Sequence, residues 1–227
     1  MTSPRERILA SIRGGLLRSH LPADGNGPPG RDAGSAAPAL REMAEQFSAA
    51  LAALAGHVHR ASGAAGVADV IAGIARDQQA ATCISWDDEH LGCPGLLDAL
   101  SSRGLTRVAY AVSGDPERRL AEAAALAGVG LGVTGAHAAL ADTGGLVLVS
   151  GPGRGRLASV LPPVHVAVVE ERRLRPSLAA LLREEPGLFD AGSNVVIVAG
   201  PSRTADIEMT LTHGVHGPKH LHVILVA

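Results

Sequence analysis

From residue 40 onward, short apolar runs alternate with stretches whose apolar positions recur every third and fourth residue. Runs at 81–86, 107–112, 146–150, 165–169, 195–199 and 222–226 are rich in Val, Ile and Leu and read as strands. Leu40, Met43, Phe47, Leu51 and Leu54 share one helical face that ends near Gly56. Val67, Val70, Ile71 and Ile74 repeat the pattern, as do Leu178, Leu181 and Leu182. Near-continuous apolar strands separated by amphipathic helices predict an α/β fold, with a mostly parallel sheet covered by helices on both faces.

The first 37 residues differ. Ser3-Pro4-Arg5-Glu6 supplies an N-cap, a proline at the first helical position and a capping glutamate, and Ile8, Leu9, Ile12 and Leu16 then line one face of a short helix. Residues 20–38 are Gly, Pro, Asp and Ala with little to bury, which reads as a linker. The expected organisation is an N-terminal helical arm and linker over 1–37, followed by one α/β domain over 38–227.

Charge narrows the partners. Lys+Arg 20 against Asp+Glu 22 leaves a formal net charge of -2, which provides no field for a nucleic-acid backbone. Phe47, Trp86, Tyr110 and Phe189 are too few and too scattered to stack bases. Arginines interrupt the N-terminal apolar residues, and no run is long enough to insert into a membrane. Cys83 and Cys93 cannot supply the thiolates of an iron–sulfur cluster, and a reducing cytoplasm is the expected compartment. Lys219 is the sole lysine, so any lysine-dependent chemistry would fall to that residue.

In parallel sheets, ligands collect beyond the carboxyl ends of the strands, so the loops after the apolar runs carry the candidate chemistry. Thr134-Gly135-Ala136-His137 and Ala141-Asp142-Thr143-Gly144-Gly145 form two glycine-containing turns that offer an imidazole, an acid, a hydroxyl and backbone amides. Gly200-Pro201-Ser202-Arg203-Thr204 follows an apolar run and is expected to open a helix closed by Gly214. Ser202 and Thr204 would cap it, and Arg203 would grip a carboxylate. Asp206 and Glu208 in its first turn disfavour a multiply charged anion. Gly151-Pro152-Gly153-Arg154-Gly155-Arg156 lacks the third glycine of a dinucleotide fingerprint and reads as a cationic loop, either solvated or touching an anion. His213, His216, His220 and His222 match no zinc spacing. His216, between Gly214 and Gly217-Pro218, is the expected general acid or base, and no metal is expected.

Thr134-Gly135, Ala141 to Gly144, Leu161-Pro162-Pro163-Val164-His165, Gly200 to Glu208 and Gly214 to Pro218, in that order, resemble the lactate-utilization (LUD) domain family, and in particular its C-type subunit. The resemblance is strongest from about Val129 onward. It departs from the family at Asp142, where glutamate is common, and at Gly145, where threonine is common. It implies a fold related to phosphosugar isomerases, coenzyme A transferases and formyltetrahydrofolate cyclo-ligase. It also implies an accessory, cluster-free role in oxidising L-lactate to pyruvate beside iron–sulfur partner subunits, with a small carboxylate as ligand and no cofactor held by this chain. The expected catalytic residues are Asp142, Glu208 and His216, and the expected ligand contacts are Thr143, Gly144, Ser202, Arg203 and Thr204. A stand-alone isomerase, transferase or ligase and a small-molecule-binding regulator remain the alternatives.

Overall fold

A computed structural model describes residues 39–109, 115–204, 212–213 and 217–227. The arm and linker expected at the N-terminus, Glu208 and His216 lie outside the described residues. Helix α1 (Leu40–Ala53) buries Met43, Ala44, Phe47 and Leu51 at the spacing read from the sequence, and leads through a tight turn into strand β1 (His57–Ala61). Helix α2 (Gly63–Asp77) buries Val67, Ala68, Ile71 and Ile74. Next come β2 (Thr82–Ser85), α3 (Leu96–Ser101), β3 (Thr106–Arg107), α4 (Pro116–Leu126) and β4 (Leu131–Gly135).

The chain then folds back on itself. β5 (Ala138–Leu140) and β6 (Gly145–Ser150) form a hairpin, and β7 (Val164–Glu170) returns to the main sheet. β8 (Leu174–Arg175), α5 (Leu178–Glu184), β9 (Asn194–Val198), β10 (Arg203–Thr204), β11 (Thr212–His213) and β12 (His220–Val226) complete the order.

The main sheet has six strands in the order β1-β12-β7-β4-β2-β3, all parallel. Every residue of β4 and the first six of β7 are buried. Because alternate side chains point to opposite faces, both faces must be covered, and the apolar runs are unbroken for that reason.

A second sheet, β8-β5-β6-β9, contains two antiparallel pairs and one parallel pair. It has its own small core of Ala138, Leu140, Val147, Val149, Leu181 and Leu188. The runs at 146–150 and 195–199 are therefore strands, as their composition predicts, but of this second sheet.

One expectation is corrected here. The segment after Gly200 was expected to open a helix, yet Arg203–Thr204 is extended and pairs antiparallel with Thr212–His213. His213 thus lies on a strand instead of closing a helix. Backbone pairing across the ribbon outweighs the capping chemistry of Ser202 and Thr204 at these positions.

Candidate functional site

Strand direction sorts the loops into two groups. β4 runs upward and ends at Gly135, so His137 lies at the carboxyl end of the parallel sheet. β5 runs back down to the turn at Ala141–Gly144, and β6 climbs again to Gly151. The antiparallel β9 descends to Gly200. The Ser202 amide donates to Pro218 O at 2.9 Å, and the Lys219 amide donates to Pro163 O at 2.8 Å. Pro218 and Pro163 stand just before β12 and β7, so this is the amino end of the parallel strands.

The sequence argument expects Asp142, Thr143, Ser202, Arg203, Thr204 and His216 in one pocket at the carboxyl edge; His216 lies outside the described residues. The structure puts the other five at the opposite one. The three-residue strand β5, about 10 Å long at the usual rise, separates His137 from Asp142. The four-residue turn joins β5 to its antiparallel neighbour β6, which returns the chain to the carboxyl end at Gly151.

The two turns do converge, around the end of α1. Gly144 has φ +66, and a Cβ there would stand 2.5 Å from Leu51 N. At Gly200, with φ +85, a Cβ would meet Leu54. Both glycines let backbone approach backbone. Gly144 is buried against the helix, while Asp142 and Thr143 are exposed. The Asp142 amide donates to Pro176 O at 3.1 Å.

At the carboxyl end a cavity of about 320 Å³ opens over β2, β4 and β7. Its apolar wall includes Trp86, Ala136, Val149 and Val168, and its ionisable groups are of both signs. Glu170, the last residue of β7, is held by two neighbours: Arg172 Nε lies 2.6 Å from its Oε2 and Arg173 Nε 3.1 Å from its Oε1. Burial alone would raise its pKa, but the two guanidiniums outweigh it and hold the carboxyl below its usual range. Arg173 also donates to His137 O at 3.3 Å, and His137 Nε2 lies 2.6 Å from Glu185 Oε2.

The loop at 151–156 crosses the top of β6 and borders this cavity through Arg154. Trp86 Nε1 donates to Gly155 O at 3.1 Å, and the Asp87 amide donates to Gly153 O at 2.8 Å, so the loop is tied to the end of β2. Gly153 (φ +68) admits the close approach of Asp87 and His90. Its neighbour Arg154 keeps Nε buried without a hydrogen-bond partner among the described residues. On the outer side of the loop lies a second cavity of about 370 Å³, bordered by Asp87 and Arg107, which pair at 2.6 Å.

Sequence reasoning passed over Glu170, Arg172 and Arg173. The signal was present: Glu170-Glu171-Arg172-Arg173 is a charged run placed directly after the apolar run of β7, where a parallel strand delivers its ligand contacts.

The histidines divide in an unforeseen way. His220 and His222 share a face of β12, and the His222 ring stacks on His57 and His59 of β1 at centroid distances of 4.7 and 5.3 Å. Burial, reinforced by the neighbouring imidazoles, lowers the His222 pKa to about 4. His165 is fully enclosed, with Nε2 2.8 Å from Thr134 Oγ1, and burial lowers its pKa to about 4. Among the described residues no group of three or more His, Cys, Asp or Glu side chains is arranged to hold a metal ion, and no helix is long and apolar enough to cross a membrane.

Residues 44–226 match the family model described as LUD domain. The chain is 34% identical over 157 residues to "Lactate utilization protein C" of Halalkalibacterium halodurans, an alignment covering 67% of this chain and 66% of that protein. It is 34% identical over 144 residues to "Lactate utilization protein C 1" of Bacillus mycoides, covering 62% and 60% respectively. The chain thus spans less than two thirds of the length of these curated relatives. A crystal structure of a DUF162 family protein from Deinococcus radiodurans superposes with a TM-score of 0.59 at 23% identity, over 84% of this chain and 99% of that one, a likeness of fold.

Proposed function

Because the chain belongs to the LUD-domain family, we propose that it serves lactate utilization as a cluster-free subunit, working beside iron–sulfur partner proteins and receiving a small organic acid in the cavity at the carboxyl end of its parallel sheet. The relatives named for lactate utilization support the role. The observation that carries the site is the cavity itself. It lies where parallel α/β sheets bind ligands, and three arginines and two glutamates line it, leaving one positive charge for a monoanion. Cys83 and Cys93 are too few to hold an iron–sulfur cluster, so on this reading the clusters belong to the partner proteins.

Co-expression with the cluster-bearing proteins of a lactate-oxidising bacterium tests the role. The chain should copurify with them and restore lactate-dependent electron transfer to extracts that lack their own C-type subunit. Failure of both would remove the assignment.

A second reading keeps the ligand at the amino end. The convergence of the Asp142–Thr143 turn and the Gly200–Ser202 turn on the end of α1 favours it. On that reading Thr143→Ala, which removes a hydroxyl contact without changing charge, weakens binding of the acid by about threefold to tenfold. On the first reading it leaves binding unchanged and alters stability by less than about 0.5 kcal/mol, as expected for an exposed turn residue.

A further inference from the structure

The cavity at the carboxyl end is lined by one arginine whose guanidinium has no partner among the described residues. Arg172 and Arg173 are both committed to Glu170. Arg154 is different: its backbone pairs with Gly151 across the small turn, but its guanidinium has no hydrogen bond or ion pair with any described residue, and its Nε is buried. A guanidinium nitrogen withdrawn from water without a partner costs free energy. A bound acceptor would recover that cost.

We infer that Arg154 is the carboxylate anchor of this cavity, and that its ligand is a small 2-hydroxy or 2-oxo monocarboxylic acid. The inference rests on the reading that the carboxyl-end cavity is the ligand site, and it assigns the group that makes the binding contact. Planar guanidinium meets planar carboxylate through two parallel hydrogen bonds. Trp86, Val149 and Val168 offer an apolar wall for the carbon body, and the His90 imidazole on the same lining can hydrogen-bond an oxygen on the second carbon. The net charge of the lining argues for the class: one surplus positive charge among the arginines and glutamates suits a monoanion better than a phosphate dianion.

Gly151 positions the anchor. A Cβ at residue 151 would stand 3.0 Å from Arg154 Nη2 and 3.6 Å from both Cζ and Nε, so the guanidinium lies folded over this glycine. An alanine there displaces the end of a flexible side chain and leaves the backbone in place. Gly151 is therefore a positioning residue, and its substitution separates the location of the cation from its presence.

Isothermal titration of the full chain with pyruvate, L-lactate and inorganic phosphate tests the inference, with thermal melts confirming that each variant is folded. Pyruvate or lactate should bind the unaltered protein, and phosphate should bind at least about tenfold more weakly. Arg154→Gln should weaken binding of the acid by about tenfold or more, as expected for loss of a charge-assisted pair. Arg154→Lys should fall between, because an ammonium keeps the charge without the paired geometry. Gly151→Ala should weaken binding about threefold to tenfold at an unchanged melting temperature. Unaltered affinity in Arg154→Gln overturns the anchor. Preference for phosphate overturns the ligand class. No binding of any of the three by the unaltered protein overturns the inference as a whole, whereas the proposed role in lactate utilization stands or falls separately on copurification. If Gly151→Ala fails to fold, the two Arg154 variants still decide.

Discussion

The two ends of the parallel sheet use glycine and charge for opposite purposes. At the amino end, Gly144 and Gly200 bring turns onto the backbone of α1, and the polar side chains beside them, Asp142 and Thr143, face solvent. At the carboxyl end, Gly151 and Gly153 make room for a guanidinium and for the close approach of Asp87 and His90, and the guanidinium is left without a partner over a cavity. A glycine-rich turn that ends in satisfied backbone contacts serves packing. One that holds a half-buried cation with no partner among the described residues, beside open space, has the character of a binding site.

The largest break in this comparison should come from Gly144→Ala. It combines a left-handed backbone with a Cβ forced onto Leu51 N, and each effect costs roughly 1–3 kcal/mol. The melting temperature should fall by many degrees. A melt within one or two degrees of the parent would show that α1 can retreat from the turn and that the amino end is looser than described.

Acid should act on the amino half first. His165 and His222, near the starts of β7 and β12, are held neutral with pKa values of about 4, below the unfolded value of about 6.5. The unfolded chain therefore binds more protons below that value. Their contribution to stability is fully present above pH ~6.5 and is lost as pH falls toward 4. Amide exchange in β12 and β1 should accelerate through that window. Removing the fully buried His165 as His165→Phe should flatten the dependence even where it lowers overall stability. An identical pH slope in the variant would assign acid sensitivity elsewhere.

A smaller effect sharpens the carboxyl end. Glu170→Gln removes the carboxylate that occupies Arg172 and Arg173. Stability should fall by about 1–2 kcal/mol, and affinity for an organic acid should rise severalfold, because the lining gains positive charge. Weaker binding in this variant would mean that Glu170 orders the site more than its charge opposes the ligand.

How far these features were legible follows from the pattern at each place. The helix carrying Phe47 and Leu51 and five of the six apolar runs stand out because core burial writes its period into the sequence, whereas of the 107–112 run only Arg107 lies on a described strand, and residues 110–112 lie outside the described residues. The assignment of the 146–150 and 195–199 runs to a second sheet was not read, since a strand buried on both faces has the same composition in either sheet. The four-residue turn at Asp142 was the available sign, because such a turn joins antiparallel strands. That omission placed His137 and Asp142 together, although β5 carries them to opposite ends. The 151–156 loop was recognised as cationic, but only the fold shows that Arg154 lines the cavity and that its guanidinium lies folded over Gly151. The stack of His222 on His57 and His59 joins residues more than 160 positions apart and depends on strand register, which no local spacing encodes.

The central claim, that the working end of this domain is the carboxyl end with Arg154 as its cation, is tested most directly by a crystal structure of the full chain with saturating pyruvate. The account predicts density for a carboxylate paired with the Arg154 guanidinium, its carbon body against Trp86 and Val168. Pyruvate bound beside Asp142 and Ser202, or an Arg154 side chain turned away to solvent beside an empty cavity, would contradict it.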